Sequence, residues 1–423
     1  MDNQTLHPVK KKNVVVPSYM KQFRCIGAEC EDTCCAGWNV NLDQTTYTNY
    51  LADHNSPLTH AFQENIQPNT PSEQTKNKFA TMTMNPKTRA CSFLNEGLCA
   101  IQAHKGESFL PNTCFNFPRL NYQFNRTDFQ VLSLGCPEAA RLALLNENAF
   151  NFEQLQLEIR ENTSIHIHDT WGFNAHNMEE IRLFCLQLAQ TNGIENWQKL
   201  LILGLFCESI NDLIQAKQQD QAPFIIQETI KPLSSGELLA SMNAVPCNLT
   251  AQASLFASFW RACNKAFKEL NSYSSPLQAQ VIQQVHTGIF QNADQDGPTN
   301  QEAIVQNYTH GLQHLQRTLT NTPYFEKNIL INELLLGFFP FAGQNIQENY
   351  LRLIAQQCLL RFMLAGVSNT LGVKTTPVAL AQTVQVFYRI FHHNEQIISF
   401  FVSKLQEMGL NQLNKLVVLL RVG

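Results

Sequence analysis

Apolar residues recur at helical spacing through the later two thirds of the chain. Leu351, Ile354, Ala355, Cys358, Leu359, Phe362 and Met363 form one stripe, and Phe256, Phe259, Trp260, Cys263, Phe267 and Leu270 form a second. A shorter third runs through Met178, Ile181, Cys185 and Leu188. Repeats at i, i+3, i+4 and i+7 put these side chains on one face of a helix, so each stripe predicts a helix packed against a core. Thr376 followed by Pro377 reads as an N-cap with proline at the first helical position, opening a helix through Val384, Phe387 and Phe391. No repeat of solenoid period is present.

Before about residue 145 the chain is rich in Pro, Asn, Thr and Gly and has little sustained periodicity. Weak alternation over residues 129–134 predicts a short strand ahead of Cys136, and Pro137 suits the first turn of a helix through Leu145. The fold class expected is mainly α. A loop-rich, cysteine-cluster metal-binding domain occupies residues 1–148 and an irregular α-helical domain residues 149–423. No Rossmann-like sheet is expected, because LILGLF and FFPFAG lack the Gly-rich turn between strand and helix that such a fold uses to bind its cofactor.

The most apolar stretch, residues 329–343, carries Asn332, Glu333 and Pro340 and falls short of a membrane span. Lys10, Lys11 and Lys12 precede only three valines and Pro17, too few for the apolar region of a signal peptide, and read as a solvated tail. A cytoplasmic protein without a membrane partner is the expectation. Charged residues are 15% of the 423, against roughly 25% in ordinary soluble domains. With 30 basic and 34 acidic residues the net charge is −4, which lacks the basic footprint of a nucleic-acid binder.

Thirteen cysteines are present, and eight of them fall between Cys25 and Cys136. In a reducing compartment such clustering suggests metal ligation or redox chemistry more than disulfides. The first group, Cys25-x4-Cys30-x3-Cys34-Cys35, is the most specific feature of the chain. Cys91 and Cys99, then Cys114, then Cys136 follow. All eight are candidate metal ligands. Thiolates suit both zinc and iron–sulfur clusters, which prefer soft sulfur donors. The adjacent Cys34-Cys35 pair and the long Cys91-x7-Cys99 spacing disfavour a plain zinc ribbon, and the common ferredoxin spacings are absent as well. Spacing leaves the metal open, including inert zinc knots that only fold the unit.

At these residues the sequence resembles the cysteine-cluster proteins described as zinc- or iron-chelating, and more closely their long members, the flagellin lysine N-methylases. The matching pieces run in order as YMKQFRCIGAECEDTCCAGWNV, CSFLNEGLCAIQ, LPNTCFNFPR and LGCPEAARL, over residues 19–142. The resemblance implies methyl transfer from S-adenosylmethionine to lysine ε-amines of flagellin. It also makes an iron–sulfur centre attractive, since a cluster iron left open can chelate the amino and carboxylate groups of that cofactor, with zinc as the alternative. The C-x3-C-x2-C spacing of radical enzymes is absent, so polar displacement at the methyl group is the simpler chemistry.

In that scheme Asp32, or its neighbour Glu31, is a candidate to accept the lysine proton, against a plainer role as a cap or loop residue. Arg119 is a candidate to pair with a cofactor carboxylate, against a structural ion pair. Trp38 is placed as packing. His166 and His168, and His310 and His314, read as surface histidines for want of a third ligand. Cys185, Cys207, Cys263 and Cys358 read as buried small apolar residues, and Cys247 as a loop residue. Two other classes of function remain open on the residues alone: a zinc-stabilised protein-binding adaptor, and a cysteine-cluster redox or metal sensor.

Overall fold

The computed structural model describes residues 7–269, 274–293 and 300–422. Strand β1 (Val9–Pro17) opens the chain, and short pieces follow it: β2 (Asn41–Leu42), α1 (Gln44–Leu51), α2 (Thr59–Asn65), β3 (Ile66–Pro68), β4 (Ala80–Met82), β5 (Leu94–Asn95), β6 (Leu98–Cys99), α3 (Ala100–Lys105) and α4 (Asn112–Asn116). Then come the hairpin β7 (Arg119–Phe124) and β8 (Thr127–Leu132), helix α5 (Pro137–Leu144), and strands β9 (Phe152–Arg160) and β10 (Ile165–His166). Asn125 and Arg126 turn the hairpin at φ 46° and 63°, the left-handed pair that a two-residue connection between twisted strands demands.

The strands β10-β7-β8-β1-β9 form one mixed sheet, which is not a Rossmann-like parallel sheet. Its course corrects the reading of the lysine run. Residues 9–17 pair with β9 along their whole length, from Val9 opposite Arg160 to Pro17 opposite Phe152. Val14 and Val16 are fully buried on the core side, and the Lys12 ammonium reaches Asp128 at 3.0 Å. β-branched residues on a half-buried pleat outweigh the charge of the run.

The short pieces enclose a small core of their own, built on Val40, Leu42, Tyr50, Phe62, Met82, Phe93, Ile101 and Phe109, with Tyr50 stacked on Phe62 at 4.3 Å. The sheet and α5 belong to the larger, helical core, which also takes in Val14, Val16 and Tyr19. Strands from both sides of the 148/149 boundary share one sheet, since β1 pairs with β9. Arg160 at the end of β9 ties the small core down. Its fully buried guanidinium donates to the carbonyls of Ser108 at 2.8 Å and Leu110 at 2.9 Å, and lies 3.8 Å from the Phe115 ring centroid.

The rest is helical: α6 (Ala175–Gln190), α7 (Asn196–Ala216), α8 (Ala222–Ser234), α9 (Glu237–Met242), α10 (Leu249–Glu269), α11 (Pro276–Phe290), α12 (Gln301–Thr320), α13 (Tyr324–Leu336), α14 (Ile346–Leu371), α15 (Pro377–Phe387), α16 (Glu395–Glu407) and α17 (Leu413–Leu416). The stripes of α6 and α14 are buried as their spacing predicts, and so are Phe256, Phe259, Trp260 and Cys263 of α10; Leu270 and the Phe267 side chain lie outside the described residues. Thr376 caps α15 by accepting from the Ala379 amide at 3.2 Å. That helix widens into a π-helical turn over Tyr388–His392. Among the described residues no helix is long and apolar enough to cross a membrane.

α14 is the central member, packed by α7, α11, α12, α15 and α16. Two crossings are close enough to exclude any side chain. A Cβ at Gly288 of α11 would lie 1.8 Å from the Gly366 carbonyl oxygen, and one at Gly311 of α12 would lie 2.2 Å from that of Ala365. Replacing a mid-helix glycine by alanine ordinarily stabilises by about 0.5–1 kcal/mol. Gly311→Ala is expected to reverse that sign and cost about 1–3 kcal/mol in urea unfolding, because backbone must move. A stabilised variant would mean that the two helices are not in this contact.

Candidate functional site

The cysteine loop, residues 25–38, is laid down by backbone pairing. Ala36 bridges Ala90, the Gly37 amide donates to the Arg89 carbonyl at 3.0 Å, and the Cys91 amide donates to the Cys35 carbonyl at 2.7 Å. Gly37 sits at φ 89° with Ser274 pressed against it, so that an added Cβ would lie 2.6 Å from the serine oxygen. Glycine is required there on both counts. This zipper brings Cys34 and Cys35 against the strand pair β5–β6, which delivers Cys99, and near α4, which delivers Cys114.

The Cys35 thiol lies within hydrogen-bonding reach of Cys34 and of Cys99. Cys114 feels the charges of Cys34, Cys91 and Cys99, while Cys136 feels those of Cys30 and Cys34. Seven of the eight candidate thiols thus share one electrostatic neighbourhood, and Cys25 is exposed. Their protons are unevenly held. The hydrogen bond from Cys35, aided by the Arg389 charge, pulls Cys34 down to about 7. The same thiol, with the amides of Gln102 and Ile101 at the start of α3, pulls Cys99 down to about 6. Cys35 in turn is pushed far up by donating to both. Burial raises Cys30 and Cys91 to about 11 and Cys136 to about 12.

All of these cysteines are free thiols, and among the described residues no group of three or more His, Cys, Asp or Glu side chains is arranged as a metal cage. The donors fit a thiophilic metal in kind. Buried thiols that raise one another's pKa need an added cation before they ionise together.

Asp32 holds the loop to the helices. Its carboxylate is 1% exposed and accepts from Gln278 Nε2 at 3.0 Å to each oxygen and from Gln385 Nε2 at 2.7 Å, with Arg389 Nε at 3.5 Å. This occupies the oxygens that the proton-acceptor reading of Asp32 requires. Arg389 also donates to the carbonyls of Thr33 at 3.2 Å and Ala36 at 2.7 Å, and its guanidinium lies 4.1 Å from the Trp38 ring centroid. Trp38 further packs edge-on against Phe117 at 4.6 Å. Glu31 pairs with Arg141 of α5 at 2.8 Å.

Arg119 opens β7, where its Nη1 lies 3.4 Å from the Phe115 carbonyl oxygen and 3.9 Å from Glu107, and its guanidinium faces Phe23. His166, His168 and His310 are exposed. Cys185, Cys207, Cys263 and Cys358 are buried, and Cys247 is exposed, its thiol 3.5 Å from the Arg421 carbonyl oxygen.

Sequence reasoning missed a polar group beside this junction. Glu333 of α13, 6% exposed, accepts from the Tyr388 hydroxyl and from His392 Nε2, the latter at 2.7 Å. The Tyr388 and His392 rings stack at 4.4 Å, and His393 Nε2 lies 2.8 Å from Ser133 Oγ. The available signal was a carboxylate inside the apolar run of residues 329–343, which served only to argue against a membrane span.

Residues 182–419, more than half of the chain, match the family model for the FliB lysine N-methylase C-terminal domain. The chain belongs to the FliB lysine N-methylase family. It is 30% identical over 142 residues to the flagellar biosynthetic protein FliU of Salmonella muenchen, an alignment covering 33% of this chain and 82% of that protein. It is 28% identical over 182 residues to lysine-N-methylases of Salmonella typhimurium and Salmonella choleraesuis, covering 43% of this chain and 43% of each relative, so under half of those enzymes is spanned. No solved structure matches. The family match includes Gln278, Gln385 and Arg389, the three side chains on which the cysteine loop is seated.

Removing Asp32 strands the Arg389 guanidinium, whose side chain is 3% exposed. Asp32→Ala is expected to cost roughly 3–5 kcal/mol, the range for breaking a buried ion pair from one side. It should also speed the reaction of Cys34 and Cys35 with a thiol reagent in the folded protein. Unchanged thiol reactivity would mean that the loop is held by its backbone pairing alone.

Proposed function

We propose that this chain is a cytoplasmic protein-lysine N-methyltransferase that moves a methyl group from S-adenosylmethionine to lysine ε-amines of flagellin. The observation that carries the reading is the seat of the cysteine loop. Asp32 docks on Gln278, Gln385 and Arg389, all inside the residues matched to the methylase family, so thiols and family domain make one surface. The relatives' names, a flagellar biosynthetic protein and lysine-N-methylases, support the substrate and the reaction.

The chemistry asks for three things of the chain. A lysine with an ordinary pKa near 10.4 must give up its proton, its nitrogen must line up with the methyl carbon, and water must be kept out. The nitrogen lone pair then forms the new C–N bond while the C–S pair leaves with sulfur. Half-buried Trp38 and Phe117 beside the loop supply an apolar wall that lowers the cost of a neutral amine relative to an ammonium. The seven neighbouring thiols, Cys30 to Cys136, would hold the metal, iron–sulfur in kind as the family resemblance implies, with zinc as the alternative. When bound it offers the donor's amino and carboxylate groups a Lewis-acidic anchor.

The deciding experiment is anaerobic purification, metal and sulfide analysis, and incubation with methyl-labelled S-adenosylmethionine and flagellin. Label on flagellin lysines, together with iron and sulfide, is the expected result. Replacing both Cys34 and Cys99 by serine should remove metal and transfer together. Zinc without sulfide would overturn the cluster but leave the transferase standing, whereas metal-replete protein that labels no lysine would overturn the transferase.

A further inference from the structure

We infer that His392, oriented by Glu333 and Tyr388, is the group that takes the proton from the substrate lysine. This rests on the methyltransferase reading and adds to it the residue that makes the amine nucleophilic.

The argument starts from hydrogen-bond accounting. An ionised carboxylate only accepts. Glu333 receives the Tyr388 hydroxyl on one oxygen and His392 Nε2 on the other, so Nε2 must carry a hydrogen. In the neutral ring that leaves Nδ1 as a bare lone pair. Nδ1 is buried and has no hydrogen-bond partner. A buried acceptor without a partner costs about 1–3 kcal/mol, and such a group asks for an explanation. A carboxylate holding one imidazole nitrogen so that the other faces a reactant is the arrangement that general bases share.

Placement supports the same reading. Tyr388, Arg389 and His392 all lie on the π-helical turn, a rare geometry found mostly at functional sites. Arg389 reaches forward to the carbonyls of Thr33 and Ala36 in the cysteine loop, so one five-residue turn joins the thiols to the imidazole. Four rings lie in contact between the cysteine loop and Glu333. Trp38 and Phe117 each lie edge-on to exposed His393, at 6.1 and 6.4 Å, and His393 lies 5.6 Å from His392. The charges beside this pair of imidazoles are Arg389, which acts on His393, and Glu395 of α16, which acts on His392 and which Arg352 of α14 pairs.

In the step, one N–H bond of the ammonium breaks and its electron pair stays on nitrogen. The proton bonds to His392 Nδ1, and Glu333 balances the imidazolium. The freed pair then attacks the sulfonium methyl, as above. His392 is the catalytic residue, and Glu333 and Tyr388 are positioning residues.

Two measurements test this on the full chain. In the ¹⁵N spectrum of histidine-labelled protein, His392 should be the Nε2–H tautomer, and Glu333→Gln should disturb it; an Nδ1–H tautomer in the unaltered chain would overturn the inference without any assay. In single turnovers with flagellin and S-adenosylmethionine, His392→Gln should lower the rate about 100-fold with little change in KM, and Glu333→Gln about 10-fold. Added imidazole should restore part of the rate to His392→Gly. If the unaltered chain labels lysine and His392→Gln labels it as fast, the inference fails alone. If the unaltered, metal-replete chain labels nothing, the methyltransferase reading fails and takes the inference with it.

Discussion

A carboxylate with no access to water must be surrounded by donors, and Asp32 meets that demand with side chains from two helices, α11 and α15 with its π-helical turn. Two of its three partners are neutral amides, Gln278 and Gln385, so the site carries one anion and one cation rather than an excess of charge. The guanidinium of Arg389 is then shared among the carboxylate, two loop carbonyls and the face of Trp38. Through that sharing one side chain bears on the position of the loop and the placement of Trp38, and adds to the hydrogen bond from Cys35 in lowering Cys34.

Much of the helical domain was legible because it is written in local periodicity. The stripes of α6 and α14, the Thr376-Pro377 start and the Pro137 helix each depend on residues a turn or two apart. The same reasoning failed for residues 9–17, where three lysines suggested a tail. Their partner strand begins at Phe152, and pairing over that separation leaves no local mark. The seat of Asp32 was out of reach for the same reason, since 246 residues separate it from Gln278 and 353 from Gln385. The thiols were legible as a group from spacing, but which of them meet was not. That depends on the Ala36–Ala90 bridge and the strand pair that returns Cys99.

The cysteine unit is held in place from outside. Its core is small, and short strands of two or three residues contribute little pairing of their own. Arg160 fastens one end to the sheet and Asp32 fastens the other to the helices. Between these ties the thiols oppose one another. Burial raises most of them, and each thiolate raises its neighbours, so charge settles on Cys34 and Cys99, which have helping donors. The two ties keep such a set together before any cation arrives to relieve it.

Glu333 poses the same problem of a buried charge and solves it differently. Asp32 is surrounded by two amides and a guanidinium, donors with no lone pair to offer a reactant on their nitrogens. Glu333 instead takes its hydrogens from a phenol and an imidazole, and the imidazole has a second nitrogen left over. The π-helical turn makes the two solutions compatible. It keeps Tyr388 stacked under His392, both directed to Glu333, while Arg389, next in sequence, serves Asp32. A turn that had only to bury apolar surface would gain nothing from two carboxylates on its flanks. Replacing the buried polar groups by apolar ones of similar shape would cost stability little and could raise it. Two buried carboxylates on the flanks of one turn, each fully supplied with donors, are therefore not accounted for by the needs of folding alone.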